Sequence, residues 1–135
     1  MTESSPGLPP RPLSPFTSVW RWHLTMFTSI AHRVTGVGLY LGALIAAGWA
    51  IALASGPEAF AQYTALLASP LGKFVLFGMT VSLFYHFANG IRHLVWDTGH
   101  GLDVRSANLS AVFVLAFSIT AAVGLWVIAA MDGLL

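Results

Sequence analysis

Residues 34–55 read VTGVGLYLGALIAAGWAIALAS, a run of 22 residues without Asp, Glu, Lys or Arg. A bilayer core of roughly 30 Å is crossed by about 20 apolar helical residues, so this run alone is long enough to span a membrane. Two others accompany it: Phe74–Ile91 supplies 18 such residues and Ser106–Met131 supplies 26. The shortest continues past His93 through Leu94, Val95 and Trp96, which lengthens it to a full span. The whole chain agrees, with 135 residues, 56% of them hydrophobic, 8% charged and a mean hydropathy of +0.76. Soluble domains carry about 25% charged residues. The fold class is therefore an all-α membrane protein with three transmembrane helices.

The flanks organise the rest. Pro6, Pro9, Pro10, Pro12 and Pro15 keep residues 1–15 extended, and Trp20, Arg21 and Trp22 suit the headgroup zone. Residues 1–24 thus form an extended, interfacial segment ahead of one domain, 25–135, with helices over about 25–54, 71–96 and 108–131. A helix over 25–54 is roughly 45 Å long, so its first turns lie in the interface or inside protein. "SGPEAF" is a turn leading into a short amphipathic stretch, and "DTGHGLDVRSANLS" is a polar loop. Arg11, Arg21, Arg33, Arg92 and Arg105 flank one side of the spans, against Lys73 on the other. The positive-inside rule then places the N-terminus and the loop after the second span in the cytoplasm.

Composition also excludes. A net charge of +1 leaves nucleic-acid binding without an electrostatic basis. The absence of cysteine removes disulfides and iron–sulfur ligation by this chain. Residues 1–15 show neither the basic and apolar regions of a secretory signal nor an Arg-rich amphipathic transit pattern. The expected location is a bacterial inner membrane, with a processed mitochondrial inner-membrane protein as the alternative.

Ionisable groups inside spans are costly and face protein or a cavity. Ser29, His32 and Arg33 share one face of the first helix by their spacing. His86, Asn89 or Gly90, and His93 share one face of the second. Both sets fall at the same membrane end, which suggests one site. His86 is the deepest, 11 residues before Asp97 and so about 16 Å inward. A histidine there serves as a metal or haem ligand, a proton relay, or a hydrogen-bonding member of the bundle. Neutral imidazole is a good haem-iron ligand. Arg33, His32 and His93, placed about two turns nearer the surface, would meet haem propionates, and Gly90 would clear space for a flat macrocycle. With one deep histidine, a second axial ligand must come from another chain. The plainer readings are a topology anchor for Arg33 and for Arg92, and helix–helix hydrogen bonding for Ser29. Gly38 and Gly42 read as a helix contact face.

"RPLSP", "VWRWHLTM", "SIAHRVTG" and "YHFANGIRHLVWDTG" together resemble the cytochrome b membrane-anchor subunit of succinate dehydrogenase. The resemblance covers the whole chain. Its motifs, S-x-x-H-R-x-[ST]-G and H-x-x-x-G-x-R-H-x-x-W-D, are specific jointly. Phe16 departs from the pattern, where many relatives carry histidine, a position that bears only on local docking contacts. The resemblance implies His86 as an axial haem b ligand, and Ser29 and Arg33 as quinone-pocket residues. It further implies that His32, Arg33 and His93 neighbour the haem propionates. Implied partners are a second membrane-anchor subunit giving the other axial histidine, an iron–sulfur subunit and a flavoprotein subunit. The implied role is electron transfer from succinate to ubiquinone, with no chemistry on succinate by this chain. An anchor for quinol:fumarate reduction, a proton-relay or transport subunit, and a haem-free structural anchor are the competing roles.

Overall fold

The computed structural model describes residues 19–133. The extended run at residues 1–15, Arg11 and Phe16 lie outside the described residues. Among the described residues four long helices follow one another: α1 (Leu24–Ala54), α2 (Pro57–Ala68), α3 (Pro70–Asp97) and α4 (Val104–Met131). Of these, α1, α3 and α4 are long and apolar enough to cross a membrane. Proline opens both α2 and α3, where a missing N–H costs nothing because the first turn has no acceptor for it. The Ser69 hydroxyl caps α3 by accepting from the Gly72 N–H at 3.1 Å.

The third span begins four residues earlier than the expected 108, because Asp103 caps it. Its carboxylate accepts from the Ser106 N–H at 3.0 Å, which relieves one of the unpaired donors at a helix start. The Ser106 hydroxyl and N–H together hold this carboxyl below the ordinary aspartate range. Upstream, α3 stops at a turn in which Gly99 and Gly101 adopt φ of +80° and +73°, a region costly for other residues. The Trp96 indole closes that turn by donating to the Gly101 carbonyl at 3.0 Å.

Helix α3 packs against both α1 and α4 and runs antiparallel to each. Thr28 lies opposite Tyr85 and Arg92, Gly36 opposite His86, and Gly42 opposite Met79. On the other side Arg92 meets Ser110, and Trp126 meets Phe77 and Thr80. The interior these helices share is small and polar: Ala88, Ala111 and Ala122, with Thr28, Asn89 and Ser118. The large apolar side chains, Leu44, Leu83 and Phe113 among them, point outward. This inverts a soluble core. In lipid the tails are as apolar as leucine, so helices associate by close packing and hydrogen bonding instead.

At the α2 end close packing is joined by isolated hydrogen bonds. The Met79 side chain occupies the space beside Gly42, confirming half of the expected glycine face; a Cβ at Gly38 would meet no neighbour within 4 Å. The amphipathic stretch forms α2, which folds back on α1. There Tyr63 donates to the Ile45 carbonyl at 2.8 Å, and Phe60 meets Trp49 edge-on with ring centres 5.8 Å apart.

Candidate functional site

The opposite end holds three histidines in a column. The His32 and His86 rings stack with centres 3.8 Å apart and planes 10° from parallel. His93 lies on the same column, 5.3 Å from His32 at 20°. All three are half-buried. Sequence spacing placed His32 about two turns from the level of His86; the structure instead brings their rings into contact. Distances along single helices do not give the register between helices, and that register is set by other residues described below.

Hydrogen bonding decides which nitrogen of each ring carries a proton. His86 Nδ1 lies 3.2 Å from the His32 carbonyl, and His93 Nδ1 lies 2.8 Å from the Asn89 carbonyl. A carbonyl only accepts, so in both rings Nδ1 donates, and in the neutral imidazole that leaves the lone pair on Nε2. His86 can thus act as a neutral Nε2 ligand. The column is not a cage for a bare ion. Among the described residues no group of three or more His, Cys, Asp or Glu could hold a metal, because nitrogens of near-parallel rings do not converge. One turn from His86, a Cβ added at Gly90 would meet nothing within 4 Å, so the space beside it is open. His32 Nδ1 is buried without a partner, a polar atom still available to a ligand or neighbour.

Ser29 and Arg33 sit on the same turns of α1 as His32. Ser29 is half-buried and Arg33 is exposed on the surface of the three-helix chain. A hydroxyl and a permanent cation one turn apart can together stabilise negative charge on an incoming oxygen.

Sequence reasoning missed the framework behind this face. Arg92, read as an anchor, is 6% exposed. Its guanidinium donates to Ser110 Oγ at 2.9 Å, to the Ala107 carbonyl at 2.8 Å, and to Thr28 Oγ1 and Asn89 Oδ1 at 3.2 Å each. The group also lies 4.0 Å from the Trp96 ring centre, a favourable cation–π distance. Tyr85 donates to the Thr28 carbonyl at 2.6 Å. Three members neighbour a residue of the site in sequence: Thr28 precedes Ser29, Tyr85 precedes His86, and Arg92 precedes His93. The buried stripe sets the helix register, and the adjacent stripe presents the histidines. Tyr85, Asn89 and Arg92 recur at i, i+4, i+7, a helical polar face parallel to His86, Gly90 and His93. That spacing was the available signal.

The profile of the Succinate dehydrogenase/Fumarate reductase transmembrane subunit family matches residues 7–125. The chain is 39% identical to the succinate dehydrogenase cytochrome b556 subunit of Paracoccus denitrificans, over 84% of this chain and 87% of that one. It is also 39% identical to the mitochondrial succinate dehydrogenase cytochrome b560 subunit of Sus scrofa, over 85% of this chain and 69% of that one. Identity to the cytochrome b556 subunit of Rickettsia felis is 35%, over 87% and 91% of the two chains.

Proposed function

Since the chain belongs to the succinate dehydrogenase/fumarate reductase transmembrane subunit family, we propose that its histidine end is a haem b and ubiquinone site. In that family the chain is a membrane-anchoring cytochrome b subunit of succinate:quinone oxidoreductase, non-catalytic on its own and multi-pass in a bacterial or mitochondrial inner membrane. Membership implies haem b and assembly with other subunits of the complex. The finer reading assigns atoms.

The observation that carries it is His86: half-buried, Nδ1 tied to the His32 carbonyl, and Nε2 free. Nε2 is the atom that would hold the haem iron, with the other axial histidine from a second membrane-anchor subunit. A bound haem supplies a one-electron carrier inside the membrane. His32, Arg33 and His93 would hold its propionates: His32 stacks on His86, His93 lies beside His32, and Arg33 follows His32 on α1. Ser29 would donate its hydroxyl to a quinone oxygen, while the Arg33 guanidinium offsets negative charge as it develops there. The exposure of Arg33 leaves room for an iron–sulfur subunit, itself joined to a flavoprotein subunit, to complete the quinone pocket. Electrons then flow from succinate to ubiquinone, and this end faces the cytoplasm or matrix, in keeping with the excess of arginine beside it.

The test is a dithionite-reduced minus oxidised spectrum of the complex purified through this chain. A b-type band is expected, and His86→Ala should remove it. Ser29→Ala and Arg33→Leu should each lower succinate:quinone turnover about tenfold or more, consistent with loss of one stabilising contact, while dye-linked succinate oxidation persists. An intact complex with no band, or with the band unaltered by His86→Ala, would refute the haem assignment.

A further inference from the structure

Thr35 and Gly36 close the motif SIAHRVTG, yet neither has a part in the site as described so far. In the structure both touch the same ring. The Thr35 hydroxyl has one proton, which it gives to the Ala31 carbonyl at 2.8 Å, with the His32 carbonyl at 3.0 Å as its second acceptor. Its lone pairs remain, and one faces His86 Nδ1 at 3.4 Å. The Nδ1–H is therefore shared between two oxygens of α1, the His32 carbonyl and the Thr35 hydroxyl. One residue further, a Cβ built on Gly36 would stand 3.1 Å from His86 Cε1 and 3.7 Å from Nδ1. A methyl there would press on the imidazole and push it a few tenths of an ångström from α1, so its absence lets the ring lie this close.

We propose that Thr35, Gly36 and the His32 carbonyl form a seat on α1 that fixes the rotation and tautomer of His86, making Thr35 and Gly36 positioning residues for the α3 ligand. Glycine supplies the clearance, and the two oxygens supply the acceptors. Together they aim Nε2 away from α1 and leave its lone pair free. An acceptor on the distal nitrogen raises the basicity of a histidine ligand and holds its ring plane. It thereby favours the oxidised, more electron-poor metal. The inference rests on the reading of His86 as an axial ligand.

The experiment measures the haem midpoint potential and the low-spin electron paramagnetic resonance signal in the purified complex, with haem content per chain. Thr35→Val removes one of the two acceptors at constant shape and should move the midpoint upward. Thr35→Ser keeps the hydroxyl and should restore the wild-type value. An unchanged midpoint in Thr35→Val with haem retained overturns the proposal, and so does a Thr35→Ser shift as large as that of Thr35→Val. Should Thr35→Val fail to assemble, Gly36→Ala gives an independent reading. Its added methyl must displace the ring by a few tenths of an ångström, so the low-spin signal should shift or haem content should fall. Gly124→Ala, where a Cβ meets nothing within 4 Å, is the control for adding a methyl to a span. A Gly36→Ala signal and haem content equal to the control overturn the seat. Retention of haem by His86→Ala would instead refute the ligand reading itself, so the two failures are separable.

Discussion

The two ends of this bundle are held together by different physics. At the α2 end, α1 and α3 meet through a glycine and a methionine, Gly42 and Met79, and α3 meets α4 through the edges of Phe77 and Trp126 with one hydrogen bond, from the Trp126 indole to Thr80 Oγ1 at 3.1 Å. At the histidine end, the same three helices are joined by the Arg92 guanidinium, with Thr28, Asn89 and Ser110 around it. The first kind of contact holds helices close and tolerates small shifts. The second fixes register, because one planar guanidinium must meet acceptors on three helices at hydrogen-bond distance at the same time. The site lies where register is fixed. A stacked histidine column drawn from two helices needs that, since a slide of one residue, about 1.5 Å along the axis, would unstack it.

The difference can be challenged with mutations. The largest effect is expected from Arg92→Met, which leaves the oxygens of Thr28 and Asn89 buried without a donor. Each unpaired buried group costs roughly 1–3 kcal/mol, so unfolding of the purified complex should move to markedly lower temperature or denaturant. Arg92→Lys should recover only part, because an ammonium cannot span four acceptors on three helices as the planar fork does. Were Arg92→Met as mild as a change at the α2 end, the contrast between the ends would collapse. Next comes Gly42→Val, which forces Met79 aside. Overpacking of this kind costs about 1–3 kcal/mol, and the flexible methionine keeps it toward the lower figure. This variant should lower stability while leaving the haem spectrum as in wild type, in contrast to Arg92→Met, which should disturb both.

The smallest effect concerns Asp103, the exposed cap of α4. Its carboxyl is held low mainly by the Ser106 hydroxyl and N–H, so the folded state favours the ionised form. Its contribution is complete above the unfolded aspartate value, about 3.9. The contribution fades as pH falls through the lowered folded value. A pH series of unfolding midpoints should show Asp103→Ala slightly less stable than wild type near neutrality, with the gap closing in acid. A gap that stayed constant or widened in acid would remove the cap from the account.

Much of the site was legible in single helices. His86 and His93 are seven residues apart, Ser29 and Arg33 four, and helical geometry turns such spacings directly into shared faces. The start of α4 was not legible, because hydropathy finds the apolar run from Ser106 but not the polar first turn that Asp103 caps. Arg92 was misread for a related reason. A cation five residues from the end of a span has the position of a snorkelling anchor, and sequence cannot show that four acceptors wait for it inside.

What the sequence determined by itself is the number of spans, their approximate limits, and the chemistry gathered at one end. Those follow from local properties, chiefly hydrophobic length and helical period, which need no knowledge of neighbours. The tertiary structure alone decided that His32 stacks on His86, that Thr35 and Gly36 seat the same ring, and that Arg92 is interior. These depend on how far each helix is slid and turned against the next. In a bilayer that choice is made by small-residue packing and by the pairing of a few buried polar groups, which leave only a faint periodic trace in the chain.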